Sequence, residues 1–304
     1  MQGLKPAAGE MRMGFGSAGI PGGSPRADSI ALIEAAVAAG IRHFDTARMY
    51  GAGAAESVLG DAAAHQRNAM MIVTKAGIAP STQFARAAAK LTAGIVTLPG
   101  AHPRFGRFSA AQVKESFEQS LKALGTDFVD ALLLHEVAAG DITDDLLRAL
   151  QDLQREGQVG LTGVATSIAE TMKVIALHPN LCQVVQAPLA WLDANCALPS
   201  GATLVIHSVF GPEFAALRDR LANRETAALF QAATGRDASD EDAVGHLWLQ
   251  AARARNPDGV TLFSSSRIAR VRANAALPAA DAGAALAALR AFEATMLERD
   301  AATG

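Results

Sequence analysis

Cysteine is nearly absent from this sequence. Its 304 residues include two, Cys182 and Cys196, and the pair does not form a C-x-x-C motif. Disulfide frameworks and zinc knuckles need more cysteines at closer spacing, so neither is indicated, and a reducing compartment fits the composition better. The N-terminal stretch also lacks an apolar run of signal-peptide length. We therefore expect a cytoplasmic protein.

Charge and long apolar runs are scarce as well. Charged residues make up 19% of the chain, and the net charge is −3 with both signs interspersed. Nucleic-acid binding needs a clustered basic face, so nucleic acid is not an expected partner. No stretch approaches the roughly 18 to 20 uninterrupted apolar residues of a membrane span, so a membrane partner is not expected either. Half of the residues are hydrophobic, which is enough to bury a large core and argues against extensive disorder.

Tyrosine is the scarcest aromatic residue. Tyr50 is the only one, whereas the chain has twelve phenylalanines and two tryptophans. It lies in the segment IRHFDTARMYGAG, residues 41–53. A phenol with its ordinary pKa near 10 is a weak acid and a poor base at neutral pH. The neighbours of Tyr50 therefore decide whether it is a reagent or an accident of composition.

Short apolar or β-branched runs alternate with Ala- and Leu-rich stretches of helical period along the whole chain. This alternation predicts an α/β fold, a parallel (β/α)8 TIM barrel that forms a single domain over residues 1–304, with a doubly wound open sheet as the alternative. The predicted strands are 12–18, 43–47, 70–76, 128–136, 159–167, 182–188, 203–209 and 259–265, and the clearest helices are 28–40, 109–125, 143–157 and 238–255. Asp28 is the expected N-cap of the first helix, and Ser109 begins the second.

Three intervals depart from this regular alternation. Residues 76–108 form a long irregular connection after the third strand, and a loop of this length is usually functional, often a lid. Residues 188–202 leave room for a helix of one or two turns only. Residues 210–258 are too long for one helix, so two or three are expected between strands seven and eight.

The segment GFGSAG, residues 14–19, matches the dinucleotide-binding pattern G-x-G-x-x-G. That pattern should end a strand and open a helix, whose N-terminus holds a pyrophosphate. Here IPGGSPR follows, which cannot start a helix. We interpret the segment as a glycine-rich turn that lets a ligand or a neighbouring strand approach closely.

Proton-active side chains follow three successive predicted strands. Asp45 ends the second strand with Tyr50 just beyond it, Lys75 ends the third, and His135 ends the fourth. The C-terminal strand ends of a barrel carry its chemistry, so these four side chains should meet there. A lysine ammonium beside a phenol favours the phenolate and lowers the pKa of the phenol. Asp45 could hold Lys75 in place, and His135 could bind a substrate oxygen.

The stretches HFDTARMYG, VTKAG and ALLLHE, in this order at those strand ends, resemble the aldo-keto reductases. The resemblance runs across nearly the whole chain. It implies a (β/α)8 barrel without a Rossmann domain that uses NADPH, or less often NADH, to interconvert a carbonyl and an alcohol. It further implies that Tyr50 is the general acid/base, that Lys75 and Asp45 tune it, and that His135 orients the carbonyl.

The same resemblance implies a set of cofactor-binding residues. Gly16-Ser17 stands for the family's Gly-Thr after strand one. The serine of Gly-Val-Ser-Asn after strand five is missing, so Thr166 or Ser167 is expected to replace it. His207 stands where a tyrosine commonly stacks on the nicotinamide. The full set implied is Gly16, Ser17, Asp45, Thr166, Ser167, Gln186, His207, Ser208, Phe210, Ser264, Ser265, Ser266, Arg270 and Asn274.

The segment FSSSRIARVRAN after strand eight resembles the family's site for the adenosine 2′-phosphate and adenine. The lysine that often begins it is Ser264 here, while Arg267 and Arg270 remain as donors and Asn274 matches the adenine-binding asparagine. Arginine binds phosphate bidentately, which favours NADPH, and the missing lysine leaves NADH open. Without the four proton-active side chains at the strand ends, a solvated basic helix face would be the better explanation of Arg267, Arg270 and Arg272.

Two other functions compete with this interpretation. His43 and Asp45 lie two apart on one strand face, and His135, Glu136 and His207 lie at other strand ends, which would suit a metal-dependent barrel hydrolase. A cofactor-binding barrel without turnover, acting as a regulatory subunit, is the second. A small carbonyl or alcohol is the expected partner of the enzyme, and its identity, the reaction direction and the oligomeric state stay open.

Overall fold

A computed structural model describes residues 12–20, 25–80, 107–194 and 196–303. Eight parallel strands form a closed barrel in chain order, and the last strand pairs with the first. The strands are β1 Arg12–Gly16, β2 His43–Asp45, β3 Met71–Ala76, β4 Val129–His135, β5 Val159–Ala165, β6 Val184–Pro188, β7 Thr203–His207 and β8 Val260–Phe263. The predicted TIM barrel is confirmed, and the open-sheet alternative is wrong.

Helices cover the outside of the barrel. In the described ranges they are α1 Arg26–Ala38, α2 Ala54–Ala63, α3 Ala110–Leu124, α4 Asp144–Arg155, α5 Ile168–Leu177, α6 Pro212–Leu221, α7 Arg224–Thr234, α8 Glu241–Arg255, α9 Ile268–Ala275 and α10 Ala282–Thr303. The three helices α6, α7 and α8 fill the interval between β7 and β8, as predicted. A five-residue 3-10 helix, Leu189–Asp193, replaces a full helix after β6.

Local sequence signals set several helix ends. Ser109 caps α3 in a capping box with Gln112, because its hydroxyl accepts a free backbone N–H of the first turn. Gly125 follows with φ 61°, a left-handed conformation that glycine adopts without strain. The start of α1 differs from the prediction, since it begins at Arg26 after Pro25. Pro25 is the N-cap residue, with φ −51° and ψ 130°, so Asp28 lies inside the first turn rather than capping it.

The glycine-rich segment after β1 is a turn. β1 ends at Gly16, a 3-10 turn covers Ser17–Gly19, and the next helix of the described residues begins at Arg26. Inside the barrel, a Cβ on Gly14 would lie 2.6 Å from Leu262 Cδ2 and 2.8 Å from His43 Cδ2. This position therefore needs glycine for close approach, and the Rossmann interpretation lacks its helix.

The predicted lid falls mostly on residues 81–106, which lie outside the described residues. Its two ends meet at Gly77, whose φ is 117°. A Cβ there would lie 2.3 Å from Phe108 Cε1. The aromatic ring of Phe108 thus packs directly on backbone at the end of β3, close to Lys75.

Over the described residues, no single helix combines the length and hydropathy of a membrane span. One pair bent by 74°, Ile268–Ala275 with Ala279–Arg299, meets those two criteria jointly.

Candidate active site

A cavity of about 470 Å³ opens at the C-terminal ends of the barrel strands. This is the end of the barrel at which all four proton-active side chains were predicted to meet, and all four line the cavity. The predicted residues that line it are Gly16, Asp45, Tyr50, Lys75, His135, Thr166, Gln186, His207, Ser208, Phe210 and Ser264. Asp45, Tyr50, Lys75 and His135 are called the central tetrad below.

The floor of the cavity is an ion pair. Lys75 Nζ lies 2.7 Å from Asp45 Oδ1 and 2.8 Å from Oδ2, and it also donates to the Thr46 carbonyl at 2.8 Å. Gln186 Nε2 donates to Asp45 Oδ2 at 2.9 Å. The Lys75 side chain is 1% exposed and that of Asp45 4%. Burying two charges is costly unless they are paired and hydrogen-bonded. Here the two charges pair with each other, Lys75 also donates to Thr46, and Asp45 also accepts from Gln186.

Tyr50 lies over this ion pair. Lys75 Nζ is 4.9 Å from the centroid of its ring. The His135 ring stands perpendicular to the phenol, with 6.0 Å between the ring centroids. Tyr50 reaches this place because β2 ends at Asp45 and the chain turns over the barrel mouth, with Tyr50 N–H donating to the Ala47 carbonyl at 3.0 Å.

Burial raises the pKa of the Tyr50 phenol above its ordinary value, and the positive charge of Lys75 opposes that increase. The predicted effect of Lys75 therefore has the expected sign, but the expected net lowering of the phenol pKa is wrong because desolvation outweighs it. Burial alone would lower the pKa of Lys75, yet the Asp45 and Tyr50 partners raise it overall. Tyr50 is therefore a protonated phenol, and Lys75 is a charged ammonium.

His207 lies at the end of β7 on the opposite side of the cavity. Its Nδ1 is 2.8 Å from Ser208 Oγ. Burial lowers the pKa of His207 to about 4, so the imidazole is neutral at physiological pH. Phe210 continues this wall, 37% exposed and packed edge-on against Phe214 with 5.1 Å between ring centroids.

The backbone is strained beside both histidines of the cavity. Glu136 and Ser208, each directly after a strand-end histidine, have φ 56°, and they are the non-glycine residues with positive φ in the described ranges. Such conformations are uncommon for these residue types and cluster at functional sites. The strain occurs at the two strand ends that present imidazoles to the cavity.

The other predicted cofactor-binding residues lie in different environments. Thr166 lines the cavity, whereas Ser167 caps α5 by accepting the N–H of Glu170. Ser17 and Asn274 are each 2% exposed, and Ser17 Oγ and Asn274 Nδ2 have no hydrogen-bond partner among the described residues. Buried polar atoms without a partner are rare and call for an explanation, and a ligand at this end of the barrel would provide one.

The segment after β8, residues 264–274, is called the β8 rim. Ser264 Oγ donates to the Gly16 carbonyl at 2.7 Å, so it joins β8 to β1. Ser265 Oγ accepts the N–H of Arg267, and Ser266 is exposed. Arg270 donates two hydrogen bonds to Asp242 Oδ1, at 2.6 and 3.1 Å. The polar groups that were predicted to bind phosphate therefore mostly bind the protein itself.

Sequence reasoning missed several residues of the cavity. Glu136 was named only for the metal-hydrolase alternative, and its effect on Tyr50 was not predicted: its charge contributes to the raised pKa of the phenol. Its position directly after His135 was a usable signal. The others are Ala18, Ala165, Val209, Gly211, Leu262 and Phe263, none of which has a proton-active side chain.

His43 fills the barrel interior below the tetrad. It is 1% exposed, and neither ring nitrogen has a hydrogen-bond partner among the described residues. Burial lowers its pKa to about 4. No group of three or more His, Cys, Asp or Glu side chains in the described part of the chain is placed to hold a metal ion, so the geometry does not support the metal-hydrolase alternative.

A protein-family model covers a large part of this chain. Residues 12–193, more than half of the chain, match the model of the Aldo/keto reductase family. The chain belongs to this family. The predicted resemblance is therefore confirmed, and it covers the strands that carry the central tetrad.

Two curated relatives share about 30% of their residues with this chain over the matched regions. Pyridoxal 4-dehydrogenase of Microbacterium luteolum is 30% identical over 227 residues, which cover 68% of this chain and 63% of that protein. L-galactose dehydrogenase of Arabidopsis thaliana is 29% identical over 175 residues, or 55% and 47% of the two chains. The chain thus spans about half to three fifths of the length of these curated relatives.

Solved structures share the fold. An aldo-keto reductase from Klebsiella pneumoniae in complex with NADPH superimposes with a TM-score of 0.61 at 20% identity, over 91% of this chain and 90% of that one. At this identity the likeness shows the barrel architecture.

Proposed function

We propose that this aldo/keto reductase family member is an NADP(H)-dependent oxidoreductase that interconverts a carbonyl and an alcohol, with Tyr50 as general acid/base. The observation that carries the proposal is the buried Lys75–Asp45 ion pair beneath the only tyrosine of the chain, at 2.7 Å. A structural ion pair at this depth would not need an accessible phenol above it. A proton-transfer site does, because the phenol must reach a substrate oxygen.

In the direction of reduction, Tyr50 donates its phenolic proton to the carbonyl oxygen as the carbon is reduced. Its raised pKa keeps the phenol protonated until that oxygen becomes basic. The phenolate that remains is stabilised by Lys75, whose charge is held in place by Asp45. The reverse reaction uses the same groups, with the phenolate accepting the alcohol proton. Positioned proton transfer of this kind contributes about 10²–10⁴-fold to rate.

His135 is proposed to orient the substrate oxygen. It is 8% exposed, and its ring stands perpendicular to the phenol in the same cavity. An imidazole at this place can donate a hydrogen bond to the oxygen that receives the proton. That contact would hold the oxygen within reach of Tyr50 and favour proton transfer over simple binding.

The site also fits the proposed cofactor. When bound, the nicotinamide supplies or accepts the hydride. Ser17 Oγ and Asn274 Nδ2 are buried polar atoms that would gain partners, and Thr166 lines the cavity of the central tetrad. Arg267 and Arg270 are the proposed phosphate ligands, and the Klebsiella relative was solved with NADPH. The neutral imidazole of His207 would not repel the cationic, oxidised nicotinamide.

The substrate is proposed to be a small hydroxylated carbonyl compound or the matching alcohol. A cavity of about 470 Å³ suits a small molecule. Two relatives are a pyridoxal 4-dehydrogenase and an L-galactose dehydrogenase, and both names denote polyfunctional oxygen-rich substrates. Glu136 at the cavity could accept hydroxyl hydrogen bonds and would repel an anionic substrate.

The test begins with fluorescence titrations of NADPH and NADH, followed by a turnover panel of aldehydes, ketones, sugars and sugar alcohols with the tighter cofactor. We expect tighter NADPH binding and turnover on the panel. Tyr50→Phe should bind NADPH as the unmodified protein does and lose about 10²–10⁴-fold in kcat. Met49→Leu is the neighbouring control and should keep most activity. A Tyr50→Phe variant with most of its kcat would refute the assigned chemistry, and NADPH binding without turnover on any substrate would favour the regulatory function.

A further inference from the structure

Glu56 is a fully buried carboxylate outside the central tetrad. It lies in the first turn of α2 and is 0% exposed. Its Oε1 accepts the hydroxyl of Thr74 at 2.7 Å, and its Oε2 accepts Arg48 Nη1 at 2.9 Å. A buried charge is costly unless it is paired, so both partners hold it there.

The two partners of Glu56 are close in sequence to Lys75 and Tyr50. Thr74 directly precedes Lys75 on β3, and Arg48 lies two residues before Tyr50. Side chains alternate along a strand. Lys75 therefore points into the barrel towards Asp45, and Thr74 points outwards to α2. One carboxylate thus joins the strand that carries the ammonium to the segment that carries the phenol.

The segment from Thr46 to Tyr50 is consequently held to β3 on both faces. On the inside, Lys75 Nζ donates to the Thr46 carbonyl at 2.8 Å. On the outside, Arg48 reaches Thr74 through Glu56. Arg48 Nη2 also donates to Gln119 Oε1 of α3 at 3.0 Å, which ties the segment to a third element.

From this arrangement we propose that Glu56 is a positioning residue, which fixes the Tyr50 phenol over Lys75 by linking Arg48 to Thr74. The inference rests on the proposed proton-transfer function of Tyr50. Its physical basis is that a displacement of about 1 Å between reacting groups can cost up to a hundredfold in rate. Without Glu56 the segment would keep its hydrogen bonds from Lys75 and to Gln119 but would lose its anchor on the outer face of β3.

The charged and titratable groups around the phenol are Lys75 of β3, Asp45 of β2, and His135 and Glu136 at the end of β4. Lys75 opposes the increase in the phenol pKa, whereas Asp45 and Glu136 add to it. If Tyr50 moves away from Lys75, the pKa of the phenol should rise further. Because Tyr50 is the only tyrosine, phenolate absorbance reports on this group alone.

The test compares Glu56→Gln, which keeps an acceptor for Thr74 but removes the charge that binds Arg48, with the unmodified protein. We expect kcat to fall about tenfold to a hundredfold, with the NADPH Kd and the substrate KM changed less than about threefold. Rapid alkaline mixing, followed by phenolate absorbance, should show a higher Tyr50 pKa. Asp61→Asn is the matched control, because it removes an exposed ion pair with Arg26 on the same helix.

A second pair of variants covers the case in which Glu56→Gln does not fold. Thr74→Val removes the hydroxyl at nearly constant volume and should lower kcat and raise the Tyr50 pKa, while Thr74→Ser should restore both. Folded variants that lose stability but keep kcat and the Tyr50 pKa would overturn the proposal. If Tyr50→Phe retains most of its kcat, the proposed function fails; if only the Glu56 and Thr74 variants retain theirs, the positioning role alone fails.

Discussion

The central tetrad and the β8 rim lie at the same mouth of the barrel, but their polar groups are partnered differently. In the tetrad, Lys75 and Asp45 bind each other within 3 Å and leave the phenol accessible above them. In the rim, Arg270 and Ser264 bind Asp242 and the Gly16 carbonyl. The tetrad is therefore preorganised for its proposed reaction, whereas a phosphate at the rim has to compete with existing partners.

This difference follows from burial. The pair in the tetrad is almost completely removed from water, so its geometry is enforced by the cost of leaving a buried charge unpaired. The Arg270–Asp242 pair is 36% and 59% exposed, and exposed pairs contribute about 0–1 kcal/mol. An exposed pair can exchange partners cheaply. Substitutions at buried charged groups should therefore have larger effects than substitutions at exposed ones.

Replacing Lys75 should break the tetrad. Lys75→Met leaves the buried Asp45 carboxylate without its cation, which typically costs about 3–5 kcal/mol of unfolding free energy. Urea unfolding measures this change, and any folded fraction should have lost turnover. Lys173→Met, which removes an exposed lysine of α5 paired with Glu170, should stay within about 0.5 kcal/mol. Equal effects of the two variants would contradict the contrast.

Acid should destabilise the barrel through the buried neutral histidines. The pKa of His43 falls on folding from 6.5 to about 4 because of burial, so the unfolded chain binds more protons between these values. Stability should therefore decrease as pH falls from about 6.5 to about 4, by roughly 3 kcal/mol for this group. His207 adds a second contribution of the same sign.

His43→Leu should remove the His43 part of that decrease and leave the His207 part. It also removes two ring nitrogens that have no hydrogen-bond partner among the described residues, so stability at neutral pH should not decrease through lost hydrogen bonds. Thermal unfolding at several pH values measures the slope. Substituting leucine for the exposed His65 is the control for exchanging these two residue types. An unchanged slope in His43→Leu would contradict the prediction.

Replacing Arg270 should act on the cofactor and not on the fold. If Arg270 binds the 2′-phosphate, Arg270→Gln weakens NADPH binding about tenfold, equivalent to about 1.4 kcal/mol. NADH lacks this phosphate, so its Kd should not change. Arg272→Gln removes the same charge from an exposed position of the same helix. Fluorescence titration with both cofactors measures the selectivity, and equal losses for NADPH and NADH would exclude a phosphate contact.

The smallest effect should come from the competitor at the rim. Asp242→Asn weakens the pairing of Arg270 and Arg267, whose guanidinium groups lie 2.6 and 3.9 Å from Asp242 Oδ1. We expect NADPH to bind about two- to fivefold tighter, in line with the modest energy of an exposed pair. Asp237→Asn, a nearby exposed carboxylate that binds Ser239, is the control. Weaker NADPH binding in Asp242→Asn would show that Asp242 supports the site.

The central tetrad was accessible from the sequence because its signals are local. Asp45, Lys75 and His135 each end a strand with a clear hydrophobic run, and strand ends of a barrel converge by topology. The function of the β8 rim was harder to predict, because the same residues fit a phosphate site or a solvated helix face. Asp242 lies 28 residues before Arg270, and no local sequence pattern predicts that the two side chains meet.

The sequence by itself determined the eight alternating strand and helix segments and the position of Asp45, Lys75 and His135 at strand ends, because strand and helix periods are local patterns. The tertiary structure decided that the sheet closes, since the same alternation also fits a doubly wound open sheet. Only the tertiary structure decided the electrostatic balance at Tyr50, the neutral state of His207 and the link from Glu56 to Thr74 and Arg48. These depend on burial and on contacts between distant segments. Desolvation depends on how the whole chain packs, so its effect on a pKa cannot be predicted from a short stretch of sequence.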